Sequence, residues 1–151
     1  MRIEWRIGDV LKGPYGNIAH GCNAQGVMGS GIAGQIHDDY PEVYKAYRET
    51  FEDRGLKLGQ VIVVRAYDRW WFNCITQEYF GSSRRHVNYG AVQECIRGIN
   101  SWVKRNQDIR PNAAEIAFPM IGAGLGGGDW PTIQGIIERE SQDFVPVVYD
   151  F

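Results

Sequence analysis

The chain has 151 residues, 44% of them hydrophobic and 23% charged, with a formal net charge of −2. This length suits one domain, residues 1–151, that buries roughly two-thirds of its unfolded surface and needs no covalent staple. The acidic balance argues against a nucleic-acid backbone as partner, which demands clustered Lys and Arg, and no signal pattern or run of about 18 apolar residues points to export or a membrane.

Three cysteines, Cys22, Cys74 and Cys95, lie in apolar stretches without CxxC spacing. They read as small buried hydrophobes in a reducing compartment, not as a disulfide framework or zinc site. The expectation is a cytoplasmic monomer with no metal, no cofactor, and neither nucleic-acid nor membrane partner. Glycine is unusually frequent, 19 of 151, against the typical ~7%.

Residues Met1 to Ile7 alternate and predict a short strand, ended by Gly8-Asp9. Asn17 to Cys22 is a compact apolar run and predicts a buried strand. A glycine loop over residues 26–31 follows, then a helix over Ile32 to Asp38. Pro41 opens a second helix, with Val43, Tyr44, Tyr47 and Phe51 at helical spacing, stopping near Gly55. Gln60 to Ala66 and Trp70 to Thr76 predict strands joined by a hairpin at Asp68-Arg69. Arg84, Arg85 and His86 form a short basic run in a loop. From Tyr89 to Arg105 the apolar residues recur at three and four, the mark of an amphipathic helix. Glu115 to Ile121 predicts a buried strand, Pro131 to Ser141 a helix, and Phe144 to Tyr149 the last strand. Six strands interleaved with four helices predict a three-layer α/β/α sandwich around a six-stranded mixed sheet.

Two glycine patterns stand out. Gly29-x-Gly31-x-x-Gly34 and Gly122-x-Gly124-x-x-Gly127 each follow a predicted strand and precede a helix. Without a Cβ, such a loop brings backbone N–H groups close to a phosphate, and a helix N-terminus adds favourable charge. Two cradles at the carboxyl ends of strands fit a diphosphate. A dinucleotide-binding dehydrogenase is the competing reading, but only one strand remains after the second loop, so no second mononucleotide half can form.

These segments resemble the macrodomain family over most of the chain. The carriers are Ile7-Gly8-Asp9, His20-Gly21-Cys22-Asn23 running through Gly29-Ser30-Gly31-Ile32-Ala33, and Pro119-Met120-Ile121-Gly122-Ala123-Gly124-Leu125-Gly126 ahead of Trp130. The resemblance implies an ADP-ribose site. Gly8, Asp9 and Val10 would meet the adenine, with Asp9 accepting from its amino group, and Tyr149 and Phe151 would lie nearby. Asn23 would contact the distal ribose. Gly29, Ser30, Gly31, Ile32 and Ala33 would serve the diphosphate. Ile121, Gly122, Ala123, Gly124, Leu125 and Gly126 would cradle the distal phosphate and ribose.

The same resemblance separates branches. One class of de-ADP-ribosylating macrodomains has a second Asn and a loop Asp where this chain has Gly26 and Ala33; another has a Lys and an Asp where it has Gln77 and Gly126. The pattern is most similar to the yeast-type ADP-ribose 1″-phosphate phosphatases, through His20-Gly21-Cys22-Asn23, Asp39-Tyr40-Pro41, and Thr76 with Phe80-Gly81. The implied activity is removal of the terminal phosphate to give ADP-ribose without a metal. His20 would act as acid or base, and Thr76 would hold the water or a phosphate oxygen. Two alternatives are a binding module for ADP-ribose without turnover and a hydrolase of protein-linked ADP-ribose, the second argued against by the missing Asn, Asp and Lys.

Overall fold

A computed structural model describes residues 1–80, 86–106, 114–123 and 126–151. The elements in chain order are β1 (Glu4–Ile7), β2 (Asn17–Asn23), α1 (Gly31–Asp39), α2 (Pro41–Arg54), β3 (Val61–Ala66), β4 (Arg69–Gln77), α3 (Tyr89–Arg105), β5 (Ala114–Phe118), α4 (Trp130–Glu140) and β6 (Phe144–Asp150). The six strands form one mixed sheet in the order β1-β6-β5-β2-β4-β3. Five are mutually parallel, and only β3 runs antiparallel, against β4. The expected α/β sandwich is therefore the observed fold.

Alternation along the strands sends side chains to two apolar layers. Ile18, Trp71, Ile75 and Val147 pack with Ile36, Val43 and Tyr47 from α1 and α2. Ala19, Phe72, Cys74 and Val148 pack with Ile96 and Ile99 of α3 and Ile133 and Ile137 of α4. Central strands covered on both faces are apolar almost throughout, which is why β2 and β5 read as continuous runs rather than alternating ones. Trp71 and Phe72, side by side and fully buried, anchor the two layers; replacing either with Ala would cost about 3–5 kcal/mol.

Several boundaries differ from expectation, and at three places the reason is local. β1 begins only at Glu4, because the Met1 ammonium turns away to donate to the carbonyls of Glu138 and Ser141 at the end of α4. β5 stops at Phe118, since Pro119 follows and cannot donate to the ladder. The hairpin turns at Tyr67-Asp68, both left-handed at φ 56° and 58°. A two-residue loop of this kind needs positive φ at both positions, and Arg69 is already paired with Ala66.

Candidate functional site

The carboxyl ends of the five parallel strands converge on one edge, where ligands bind in open α/β sheets. Two adjoining cavities lie along it. One, of about 600 Å³, is bordered by the ends of β2 and β4 and by both glycine loops. The other, of about 720 Å³, is bordered by Gly8, Val10, Tyr149 and Phe151 at the ends of β1 and β6. They share Gly31, Ile32, Pro119 and Met120, so they form one trough with a waist between the start of α1 and the end of β5.

The first glycine loop is built from Asn23. Its side-chain oxygen accepts from Gln25 N–H at 2.9 Å and its amide donates to Val27 O at 2.8 Å. Tyr47 of α2 donates its hydroxyl to Asn23, reaching the carbonyl at 2.7 Å and the side-chain oxygen at 2.9 Å. Burial pushes the Tyr47 phenol up, so it stays a donor. Asn23 borders the trough and braces the loop through its side-chain oxygen and one N–H of its amide. Gly31 opens α1 in a left-handed conformation, φ 58°. Gly34 presses against Gly29, where a Cβ would stand 3.1 Å from the Gly29 carbonyl carbon. Ser30 makes no side-chain cap, and the first loop-to-helix backbone bond is Gly34 N–H to Ser30 O. The amides of Gly31, Ile32 and Ala33 thus face the waist as an uncapped helix N-terminus, an arrangement that favours an anion.

The second loop closes on itself. Ala123 N–H donates to Met120 O and Gly128 N–H to Gly122 O. Gly122 is left-handed at φ 75°, and a Cβ there would come within 2.7 Å of Val87. Its helix begins later, and Asp129 caps it, accepting from Thr132 N–H and Thr132 Oγ1. Ile121, Gly122 and Gly126 border the loop-lined cavity and Ala123 its neighbour, while Gly124 and Leu125 lie outside the described residues.

At the β1–β6 end of the trough, Asp9 Oδ1 accepts from Leu11 N–H at 2.9 Å. That bond shapes the turn that presents Gly8 and Val10; Asp9 is not among the residues bordering the trough. Tyr149 is nearly buried against Gly13, while Phe151 is 94% exposed at the lip.

His20 and Thr76 meet the trough from opposite sides of the sheet. His20 pairs in register with Asn73, on the face of Ile18 and Cys22. Its Nε2 lies 2.5 Å from Asn73 Oδ1, and burial lowers its pKa to about 4. The ring is neutral at pH 7 and tied to Asn73. Cys22 Sγ sits 3.7 Å away, with its thiol pushed well up by burial and so unreactive. Thr76 follows Phe72 and Cys74 on the other face. Its hydroxyl is buried with no protein partner and lies 2.9 Å from where a Cβ on Gly21 would be. Gly21 therefore exists to let Thr76 approach β2, a signal carried by any glycine inside a strand pattern. Gln77, Phe80 and Met120, to which sequence reading gave no role in the site, also border the trough. Phe80 is 58% exposed at the distal rim.

Comparison with known proteins agrees with this geometry. The family model described as Macro domain matches residues 19–137, from β2 into α4. A 17.5 kDa protein from the tk-vs intergenic region of Enterobacteria phage T4 is 36% identical, covering 100% of this chain and 97% of its own length. A DNA ADP-ribosyl glycohydrolase of Thermus aquaticus is 32% identical over 87% of this chain, which spans 36% of that protein. An ADP-ribose 1″-phosphate phosphatase of Lodderomyces elongisporus is 25% identical, covering 99% of this chain and 100% of its own length. Among solved structures, the macrodomain of Thermus aquaticus DarG superposes with a TM-score of 0.82 at 26% identity, covering 99% of this chain and 98% of that one. A trough floored by two glycine loops at the carboxyl edge of this sheet, together with a match over most of the chain, establishes that the protein belongs to the Macro domain family, with relatives that act on ADP-ribose derivatives.

Proposed function

We propose that the protein hydrolyses the terminal phosphate of ADP-ribose 1″-phosphate. The carrying observation is the character of the distal end. Its described lining offers backbone amides and the unpartnered Thr76 hydroxyl, and no carboxylate or ammonium group. Removing a phosphoryl group gathers negative charge on oxygens, which N–H and O–H donors stabilise. Breaking a glycosidic bond gathers positive charge on the ribose and asks for carboxylates. The donors present suit the first reaction.

In this reading the adenine lies between Val10 and Phe151 and the diphosphate crosses the waist at Gly31 and Ile32. The distal ribose and its phosphate lie between Asn23, Thr76 and Gly126. Water adds to the terminal phosphorus as its bond to the ribose oxygen breaks. That oxygen leaves with a proton, giving ADP-ribose and inorganic phosphate. Thr76 Oγ1 donates to the phosphate or holds the water. His20, neutral and bound to Asn73, acts as a positioning residue beneath the first loop. The three free, buried cysteines fit a cytoplasmic setting.

Similarity to the Thermus aquaticus glycohydrolase favours a second reading, release of ADP-ribose linked to DNA. Gln77, whose Nε2 is committed to Tyr79 O at 2.6 Å, gives that reaction no nucleophile or acid. One assay separates these readings. The protein is incubated with ADP-ribose 1″-phosphate and with ADP-ribosylated DNA, and the products are followed by mass. Phosphate release from the first substrate alone supports the proposal. Release of ADP-ribose from DNA alone replaces it with the second reading. Tight binding of ADP-ribose with no turnover of either substrate leaves a binding module.

A further inference from the structure

Gln35 stands one turn into α1 and borders the cavity at the β1–β6 end of the trough, together with Gly31 and Ile32 of the same helix. Residues three and four apart share one face of a helix, so the face that carries the uncapped amides also carries Gln35. Its backbone N–H is spent four residues back inside the helix. What it turns to the cavity is its side chain, and helical side chains lean toward the N-terminus of their helix, the end that meets the trough. That side chain is half-buried and makes no hydrogen bond among the described residues.

The walls around it are apolar, made by Val10, Ile32, Pro119, Met120 and Phe151. Two other polar side chains border this cavity, and both are directed elsewhere. Tyr149 lies in the layer packed under α1 and α2, with its hydroxyl against Gly13. Asp150 follows it on β6, so its side chain leaves from the opposite face of the sheet, where it is exposed. Asp9 does not border the cavity, and its Oδ1 accepts from Leu11 N–H. In a largely apolar pocket the few convergent polar groups fix orientation and supply specificity. Among the described residues Gln35 is that group, and its carboxamide offers an acceptor and a donor side by side.

Resting on the adenine placement between Val10 and Phe151, we propose that Gln35 is a specificity-determining residue that reads the base. Its Oε1 accepts from the exocyclic amino group of adenine, and its Nε2–H donates to the adjacent ring nitrogen, the paired contact that a carboxamide makes with this base. A base with a carbonyl oxygen in place of the amino group sets an acceptor against Oε1 and loses the pair. The amides at the waist hold a diphosphate whatever base it carries, so the choice of adenine falls to Gln35.

The test is calorimetric binding of ADP-ribose and of inosine diphosphate ribose, in which an oxygen replaces the exocyclic amino group, to wild type, Gln35→Leu and Gln35→Met. Leu and Met are good helix formers of similar size, so both variants should keep the fold. Wild type should bind ADP-ribose roughly tenfold more tightly than the inosine ligand. Both variants should bind the two ligands equally, by losing affinity for ADP-ribose. A wild-type protein with no preference overturns the proposal, and so does a preference that survives in both variants, even where affinity for the two ligands falls alike. In parallel, the side-chain amide resonances of Gln35 in the wild type are followed as ADP-ribose is added; a shift supports the proposal and unmoved resonances overturn it. A wild type that binds ADP-ribose yet releases no phosphate from ADP-ribose 1″-phosphate defeats the phosphatase reading, while the base preference still decides the role of Gln35. A wild type that does not bind ADP-ribose removes the adenine placement and this proposal with it.

Discussion

The two glycine loops look alike in sequence and are built on different principles. The first runs straight into α1, leaves that helix uncapped at Ser30, and is braced from outside by Tyr47. The second closes on its own backbone, is clipped by residues 86–88, and hands over to a helix already capped by Asp129. Anion affinity at a helix N-terminus depends on orphan amides and on the dipole they carry. Only the first loop offers both, because the Asp129 carboxylate has taken that place at α4. The first loop thus has the character of an anion-accepting cradle, and the second that of a wall closed on its own backbone.

This contrast can be broken at several points. The largest effect belongs to Gly122→Ala, which forces a side chain into a left-handed position against Val87 and should lower stability by about 3 kcal/mol. Gly29→Ala in the first loop meets only Val27 at 3.5 Å and should change stability by less than about 0.5 kcal/mol. Urea denaturation of the two variants checks the pair, and equal losses would erase the distinction between wall and cradle.

Next comes the strand that feeds the first loop. The unfolded chain protonates His20 below its ordinary pKa of 6.5, whereas the folded protein resists until about pH 4. The unfolded state binds more protons across that window, so stability falls as pH drops through it, by up to about 3 kcal/mol. His20→Gln should flatten that part of the stability–pH curve, and an unchanged slope would show that another group titrates there.

A smaller effect converts one loop toward the other. Ser30→Asp supplies α1 with the carboxylate that α4 has at Asp129. It should stabilise the helix by about 1 kcal/mol while weakening ADP-ribose binding roughly tenfold. The reciprocal change, Asp129→Asn, keeps a capping side chain. It should cost about 0.5 kcal/mol and leave ADP-ribose affinity unaltered. Thermal melts with calorimetric titration read both quantities, and tighter binding by Ser30→Asp would refute the cradle.

What the sequence discloses follows the reach of the interactions. α3 spans Tyr89–Arg105 as its periodicity predicts, since a helix period is local and Asn88 caps it through Ala91 N–H. Both glycine loops were legible for the same reason, their conformational demands being written in consecutive residues. The duties of Asn23 and His20 were not. Tyr47 lies 24 residues from Asn23, and Asn73 lies 53 from His20. No local pattern announces either pairing. Asp9 likewise has a structural duty that its place in the sequence does not announce, its Oδ1 accepting from Leu11 N–H. His86 was hidden in the opposite way. Its place in a short basic run read as part of a loop, whereas its backbone bond to Gly126 places it beside the second glycine loop.

The central claim is that amides from both loops address one diphosphate-bearing ligand, and a backbone 1H–15N titration with ADP-ribose tests it most directly. Resonances of Gly31, Ile32 and Ala33 should move with those of Gly122, Ala123 and Gly126 along a single saturation curve, with the larger downfield shifts on the α1 side. Movement confined to one loop, or two curves with different midpoints, would contradict the claim.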